Sequence, residues 1–162
     1  MKNYSIEFKW AAISTVLAIA WMYLEKTLGY HDEKIGIQIL FTNLFSIILI
    51  AVYILALKEK KKHFFNSLIT WKQAFFSGMV LTLMITIFFP LVQYITYTQI
   101  SPEFFSKLAA VIVAKGSMNI ETATTYFSFD NYLRQGAYNN LSLGVVTSAA
   151  VAYFIQTKNV KK

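Results

Sequence analysis

The chain has 162 residues, 56% of them apolar and only 14% charged, against about 25% charged in an ordinary soluble domain. Its formal charge of +7 invites a nucleic-acid partner. That reading is excluded because the lysines flank apolar runs instead of forming a stripe with stacking aromatics. There is no cysteine, hence no disulfide, thiolate metal site or cysteine nucleophile, and the wide separation of the two histidines, His31 and His63, argues against zinc.

Residues 1–9 are short and polar. Residues 10–28 read as a first membrane crossing. Ala18-Ile19-Ala20 is superficially like a signal-peptidase site, but the apolar run before it is short and bulky Trp21-Met22-Tyr23-Leu24 continue it, so an uncleaved helix is expected. Residues 29–34 form a polar turn. His31-Asp32-Glu33 lack the spacing and further ligands of a metal site, so this turn is expected to be a solvated loop.

Residues 35–57 contain no formal charge. A helix of that length spans roughly 34 Å, enough to cross a hydrocarbon core of about 30 Å. The basic run KEKKKH at 58–63 stops it. Its bland reading is a topology signal; binding of anionic lipid or of a phosphorylated partner is the functional one. Trp71 and Lys72 suit an interfacial entry to a third crossing, 74–98, which Pro90 should kink by removing a backbone donor. Tyr94 and Tyr97 are expected at headgroup depth.

Residues 101–130 are too many for a structureless loop. Ser101-Pro102-Glu103 reads as a helix start, with Ser101 as N-cap. Phe104, Phe105, Leu108, Val111 and Ile112 follow at helical spacing, an amphipathic helix that Gly116 closes. Residues 119–127 read as a second short helix, and Asp130 as the cap of a fourth crossing, 131–156. The expected fold is therefore all-α: an integral membrane four-helix bundle, one transmembrane domain over 1–162, with a short amphipathic helical insertion between the third and fourth crossings.

With four crossings, ten Lys and Arg side chains fall on the side of both termini and the Lys58 loop, and five on the other. The acids divide two against six. The positive-inside rule then places both termini in the cytoplasm, with Trp10 and Trp71 at the inner interface. The inner helix halves look almost wholly apolar. The outer halves carry Glu25, Gln38, Thr42, Asn43, Gln93, Arg134 and Asn139, which should face a polar pocket open to the outside. Gln38, Thr42 and Ser46 share a face by their four-residue step. Glu25 and Arg134 could meet at similar depth, as a proton, cation or anion site or as a structural ion pair.

Gly136, Asn140, Gly144, Ser148 and Ala152 form a stripe of mostly small residues that lets a second helix approach closely, within the chain or between subunits. No phosphate loop, HExxH, GxSxG or twin intramembrane aspartate occurs. Ser14, Ser77 and Ser148 read as packing hydroxyls, so no catalytic residue, cofactor or metal is expected.

The string Trp21-x-x-Leu24-Glu25-Lys26-x-x-Gly29-x-His31-Asp32-Glu33, with Thr42-Asn43-Leu44, Trp71-Lys72-Gln73 and Gly144-Val145-Val146-Thr147-Ser148-Ala149, resembles a bacterial membrane family catalogued as domain of unknown function 4199. The resemblance covers nearly the whole chain. It implies about four transmembrane helices in a bacterial inner membrane and supplies no activity. The preferred expectation is a binding, accessory or scaffold subunit that docks a membrane-protein partner or another copy of itself. The alternative is a small oligomeric transporter or solute-binding protein using the outer polar pocket.

Overall fold

The computed structural model describes residues 4–157. Lys2, Lys158, Lys161 and Lys162, which enter the charge count, lie outside the described residues. Those residues fold into helices joined by turns, with no strand among them. The helices are α1 (Ser5–Thr27), α2 (Gln38–Thr42), α3 (Phe45–His63), α4 (Trp71–Ile95), α5 (Phe104–Ala114), α6 (Ile120–Tyr126) and α7 (Phe129–Ile155). A 3-10 turn, Ile35–Ile37, precedes α2, and a π-helical turn, Thr96–Ile100, prolongs α4.

Three stretches are long and apolar enough to cross a membrane: Ser5–Thr27, Ile35–His63 and Trp71–Ile100. α7 does not join them although it has 27 residues; Asp130, Arg134, Gln135, Asn139 and Asn140 make it more polar. Large apolar side chains stand exposed along these helices, such as Ile87 at 72% and Phe154 at 83%. That outward apolar surface suits lipid, not water.

Several helix limits differ from the sequence reading. α1 starts at Ser5, five residues before the expected 10, and α4 at Trp71 instead of 74. Residues 35–57 are not one rod. The helix breaks at Asn43-Leu44, where Leu44 N–H bonds Phe41 O at 3.0 Å and Ser46 N–H bonds Asn43 O at 3.1 Å. The Ser46 hydroxyl also donates to Asn43 O at 2.6 Å. These short-range bonds compete with the i→i−4 ladder, as Asn and Ser side chains favour. Beyond the break the helix runs past 57 to His63, where Lys60, Lys61, Lys62 and His63 occupy the last turn and complement its dipole. α4 passes through Pro90 without ending.

The chain divides into two compact units. The first takes its described residues from Met1–Thr15, Ile47–Phe88 and Tyr138–Lys162. Tyr53, Ala56, Leu57, Ile69, Leu81 and Ala152 are among its core residues. In it α4 and α7 pack closely through small groups. A Cβ on Gly78 would lie 2.7 Å from Ser148 Oγ, and one on Gly144 would lie 2.7 Å from Thr82 Oγ1. As the α4 partner moves from 78 to 82, the α7 partner moves from 148 to 144, so the two run antiparallel. Gly144, Ser148 and Ala152 of the small-residue stripe are thus buried inside the chain. Tyr53 and Thr82 hydroxyls meet at 2.7 Å beside them.

Next to the expected apolar ranges 11–19, 47–57, 74–83 and 145–155, this unit also buries charged groups. Glu7 and Lys60 are buried and paired at 2.9 Å, and Ser77 donates to the same carboxylate. Glu59 accepts from Lys9 at 2.5 Å and from Trp10 Nε1 at 2.9 Å. Lys61 donates to Ile155 O at 2.8 Å, on the last residue of α7. Much of the basic run is therefore engaged in holding helices together. Ser77 is more than a packing hydroxyl.

The second unit comprises Val16–Ser46 and Phe89–Ala137. Its core is Ile35, Tyr97 and Phe104, flanked by Phe105, Leu108, Val111, Phe129 and Tyr132. Tyr97 is 7% exposed and sits among these rings. α5 therefore buries Phe104 and its apolar face against the unit's own core. Asn119 caps α6 through its side chain, which accepts from Thr122 N–H at 2.8 Å. At the start of α7 it is Ser128, not Asp130, whose hydroxyl accepts from the Asn131 N–H, at 3.4 Å. In this unit Gly136 faces the ring of Phe89, leaving no room for a side chain.

Candidate functional site

The last turn of α1 carries Glu25, whose side chain is wholly buried within the second unit. Gly29 ends the helix with φ +81°, and Tyr30 N–H reaches back to Glu25 O at 2.9 Å. Glycine adopts that left-handed conformation without a Cβ penalty, and the backward bond satisfies a helix-end carbonyl. The turn folds His31 back over the end of α1. His31 is 1% exposed, so the solvated-loop reading is corrected at His31, while Glu33 is exposed.

Each carboxylate oxygen of Glu25 accepts two hydrogen bonds. Oε1 receives Trp21 Nε1–H at 2.6 Å and the Thr42 hydroxyl at 2.7 Å. Oε2 receives Gln38 Nε2–H at 2.8 Å and faces His31 Nε2 at 3.2 Å. Four donors around one carboxylate meet the condition for burying it. They come from three places: the same helix one turn back, the following turn, and α2. Phe41 of α2 stacks on both Trp21 and Tyr30, which fixes the indole.

The second ring nitrogen of His31, Nδ1, lies 2.6 Å from Ser101 Oγ. Because Glu25 serves as acceptor throughout, the network assigns the ring proton to Nε2 and leaves Nδ1 to accept from the Ser101 hydroxyl. Phe104 meets the His31 ring edge-on at 5.2 Å. Ser101 is itself 2% exposed. Its N–H bonds Thr96 O at 2.7 Å, closing the π turn that ends α4. The expected N-cap role of Ser101 is corrected: Glu103 takes the cap position without a side-chain bond, and the Ser101 hydroxyl goes to His31.

Ser101 and His31 border a recess of about 200 Å³ that Lys26, Glu103, Phe104 and Lys107 also line.

Of the expected pocket residues, the structure brings together Glu25, Gln38 and Thr42. Asn43, Arg134 and Asn139 are exposed, as is Ser46. Arg134 forms no ion pair among the described residues, so it does not meet Glu25. Gln93 is buried with its Oε1 unpartnered. Sequence reasoning missed Trp21, His31 and Ser101. Trp21 carried a signal, since it precedes Glu25 by one helical turn. Ser101 carried none, being separated from His31 by 70 residues. Among the described residues no three His, Asp or Glu side chains gather to hold a metal ion.

Residues 9–157, which include every member of this cluster, match the family described as "Protein of unknown function (DUF4199)". The chain belongs to the DUF4199 family. No curated protein and no solved structure matches it. Three apolar helices long enough to cross a bilayer make this DUF4199 chain a membrane protein by its build.

In this DUF4199 member the recess is flanked by a chain of ion pairs. Asp32 accepts from Lys107 at 2.7 Å and from Lys26 at 2.8 Å, and Lys107 also reaches Glu103 at 2.9 Å. The Lys107 and Lys26 ammonium groups hold the Asp32 carboxyl down to a pKa of about 2. Lys107 likewise lowers Glu103, and its own ammonium is pushed up by Asp32 and Glu103. The pairs tie the start of α5 to the turn after α1.

Proposed function

We propose that this chain is a small binding or accessory subunit of a bacterial inner membrane, and that the recess over His31 and Ser101 is its recognition site. In this reading α7 is a fourth crossing that completes a four-helix bundle, and both termini lie in the cytoplasm. The recess carries the proposal. Its floor is pre-formed, because Glu25 and its donors hold His31 in place. Pre-organised polar groups beside an aromatic wall are what small-ligand sites use. Transport has less support, since Asn43, Arg134 and Asn139 are exposed instead of lining one pocket. The excess of Lys and Arg on the terminal side supports the orientation.

Native mass spectrometry of the full chain in mild detergent tests the binding reading. The wild type is expected to retain a stoichiometric small molecule or protein partner, and Glu103→Trp, which obstructs the rim, to lose it. A wild type that flies as the bare chain overturns it. Orientation is tested by single-cysteine labelling, since no native cysteine interferes. An impermeant maleimide on intact spheroplasts should label Ser117→Cys and spare Lys62→Cys; the reverse pattern refutes it.

A further inference from the structure

We propose that Ser101 is a nucleophile, activated by His31 and Glu25, and that the recess receives the acyl group of a small ester. This rests on reading the recess as the binding site. A hydroxyl 2.6 Å from an imidazole nitrogen, with the other ring nitrogen 3.2 Å from a carboxylate, is the relation that activates a serine. Here Nδ1 faces the serine and Nε2 the acid.

Three further observations support a chemical role over a purely structural tie. The first is orientation. Trp21, Gln38 and Thr42 fix the carboxylate, and Phe104 packs on the ring, so the relay is held from both sides. The second is access. A tie needs no space beside it, whereas Ser101 and His31 both border the recess. Its volume, about 200 Å³, accommodates a short acyl group. The third is charge. α5 begins at Phe104, three residues after Ser101, and Lys26 and Lys107 line the same recess, both paired with Asp32 and Lys107 also with Glu103. The Phe104 N–H bonds Ser101 O at 3.1 Å, so it is the later N–H groups of the first turn that favour the negative charge an ester carbonyl oxygen acquires under attack.

The step balances with ester and water alone. Ser101 Oγ attacks the carbonyl carbon while its proton passes to His31 Nδ1. The C–O bond to the alcohol breaks, and the leaving oxygen takes that proton. Water then attacks the acyl-serine with His31 as base, releasing the acid and restoring the hydroxyl. Glu25 positions His31 and stabilises the imidazolium.

An alkyl fluorophosphonate tests the proposal on the full chain in detergent. Attack by Ser101 forms a P–O bond and expels fluoride, and peptide mass mapping locates the adduct. The expected result is an adduct on Ser101, absent in Ser101→Ala, unchanged in Ser106→Ala and formed about 100-fold more slowly in His31→Gln. Because His31 variants can lose the fold, Ser101→Cys supplies a second reading. Its thiol should alkylate with iodoacetamide at least about 10-fold faster than that of Ser106→Cys, with melting temperature unchanged. No adduct on Ser101 together with no thiol enhancement overturns the proposal. If native spectra still show a retained ligand in that case, the binding reading stands and the nucleophile alone is lost. An adduct with empty native spectra supports the nucleophile and removes only the accessory role.

Discussion

Lys60 Nζ stands 2.9 Å from Glu7 Oε1, and the two side chains are only 5% and 2% exposed. Removing Glu7 takes the carboxylate away from a buried ammonium and from the Ser77 hydroxyl that donates to it. Glu7→Ala should therefore destabilise the protein by about 3–5 kcal/mol, whereas Glu7→Leu combined with Lys60→Met should recover most of the loss. Thermal unfolding in a fixed detergent reads both. Equal destabilisation by the single and double variants would count against the pair.

Glu25 is the acceptor for four donors, so its loss is not the loss of one bond. Glu25→Ala leaves Trp21, Gln38, Thr42 and His31 without their common partner and should cost at least about 3 kcal/mol. Glu25→Gln keeps one acceptor oxygen and should fall between the wild type and Glu25→Ala. The indole of Trp21 reports locally: its emission should shift in both variants, with Trp10 and Trp71 replaced by Phe to isolate the signal. Unchanged emission in Glu25→Ala would disprove the contact.

The Asp32 bridge has a defined pH window. Its carboxyl sits at about 2 when folded, against the ordinary 3.8. A depressed folded pKa adds stability that is fully present above the unfolded value and disappears as pH falls through the folded one. The difference in melting temperature between wild type and Asp32→Asn should hold from pH 7 to about 4 and close between about 4 and 2. Partial exposure of Asp32 and Lys107 keeps the difference small. A difference already closing at pH 6 would assign the effect to another group.

Gly144 has no space for a methyl group. A Cβ would press on Thr82, which cannot easily yield because its hydroxyl bonds Gly78 O at 2.9 Å and Tyr53 OH at 2.7 Å. Gly144→Ala should cost about 1–3 kcal/mol, and Thr82→Ser, by removing the methyl, should restore part of it. Additive costs in the unfolding cycle would show that the two residues do not touch.

What the sequence revealed was local. Gly116 and the Asn119 cap announce a helix end and a helix start, because cap chemistry depends on neighbours a few residues away. Gln38 and Thr42 share a face by helical period alone. Position along a helix is legible in this way, but direction around it is not. Arg134 and Asn139 lie on α7 and are exposed, with no part in the buried cluster. The relay was hidden for a different reason. Ser101 satisfied the local rule for an N-cap, and a partner seventy residues away took its hydroxyl instead. Glu7 and Lys60 were hidden among charges that any membrane protein places near its helix ends, so their burial had no mark in the sequence.

The wide turn Thr96–Ile100 holds one residue more than an α-helical turn would use, and Ser101 is the residue it delivers. Its side chain is thus aimed by backbone phase. Excising one amino acid from this stretch would let the ladder relax to ordinary winding and swing position 101 by roughly 100°. The hydroxyl would leave the imidazole although no contacting side chain had been altered. A length change, which point-substitution scans never sample, is therefore the gentlest way to unhook the serine.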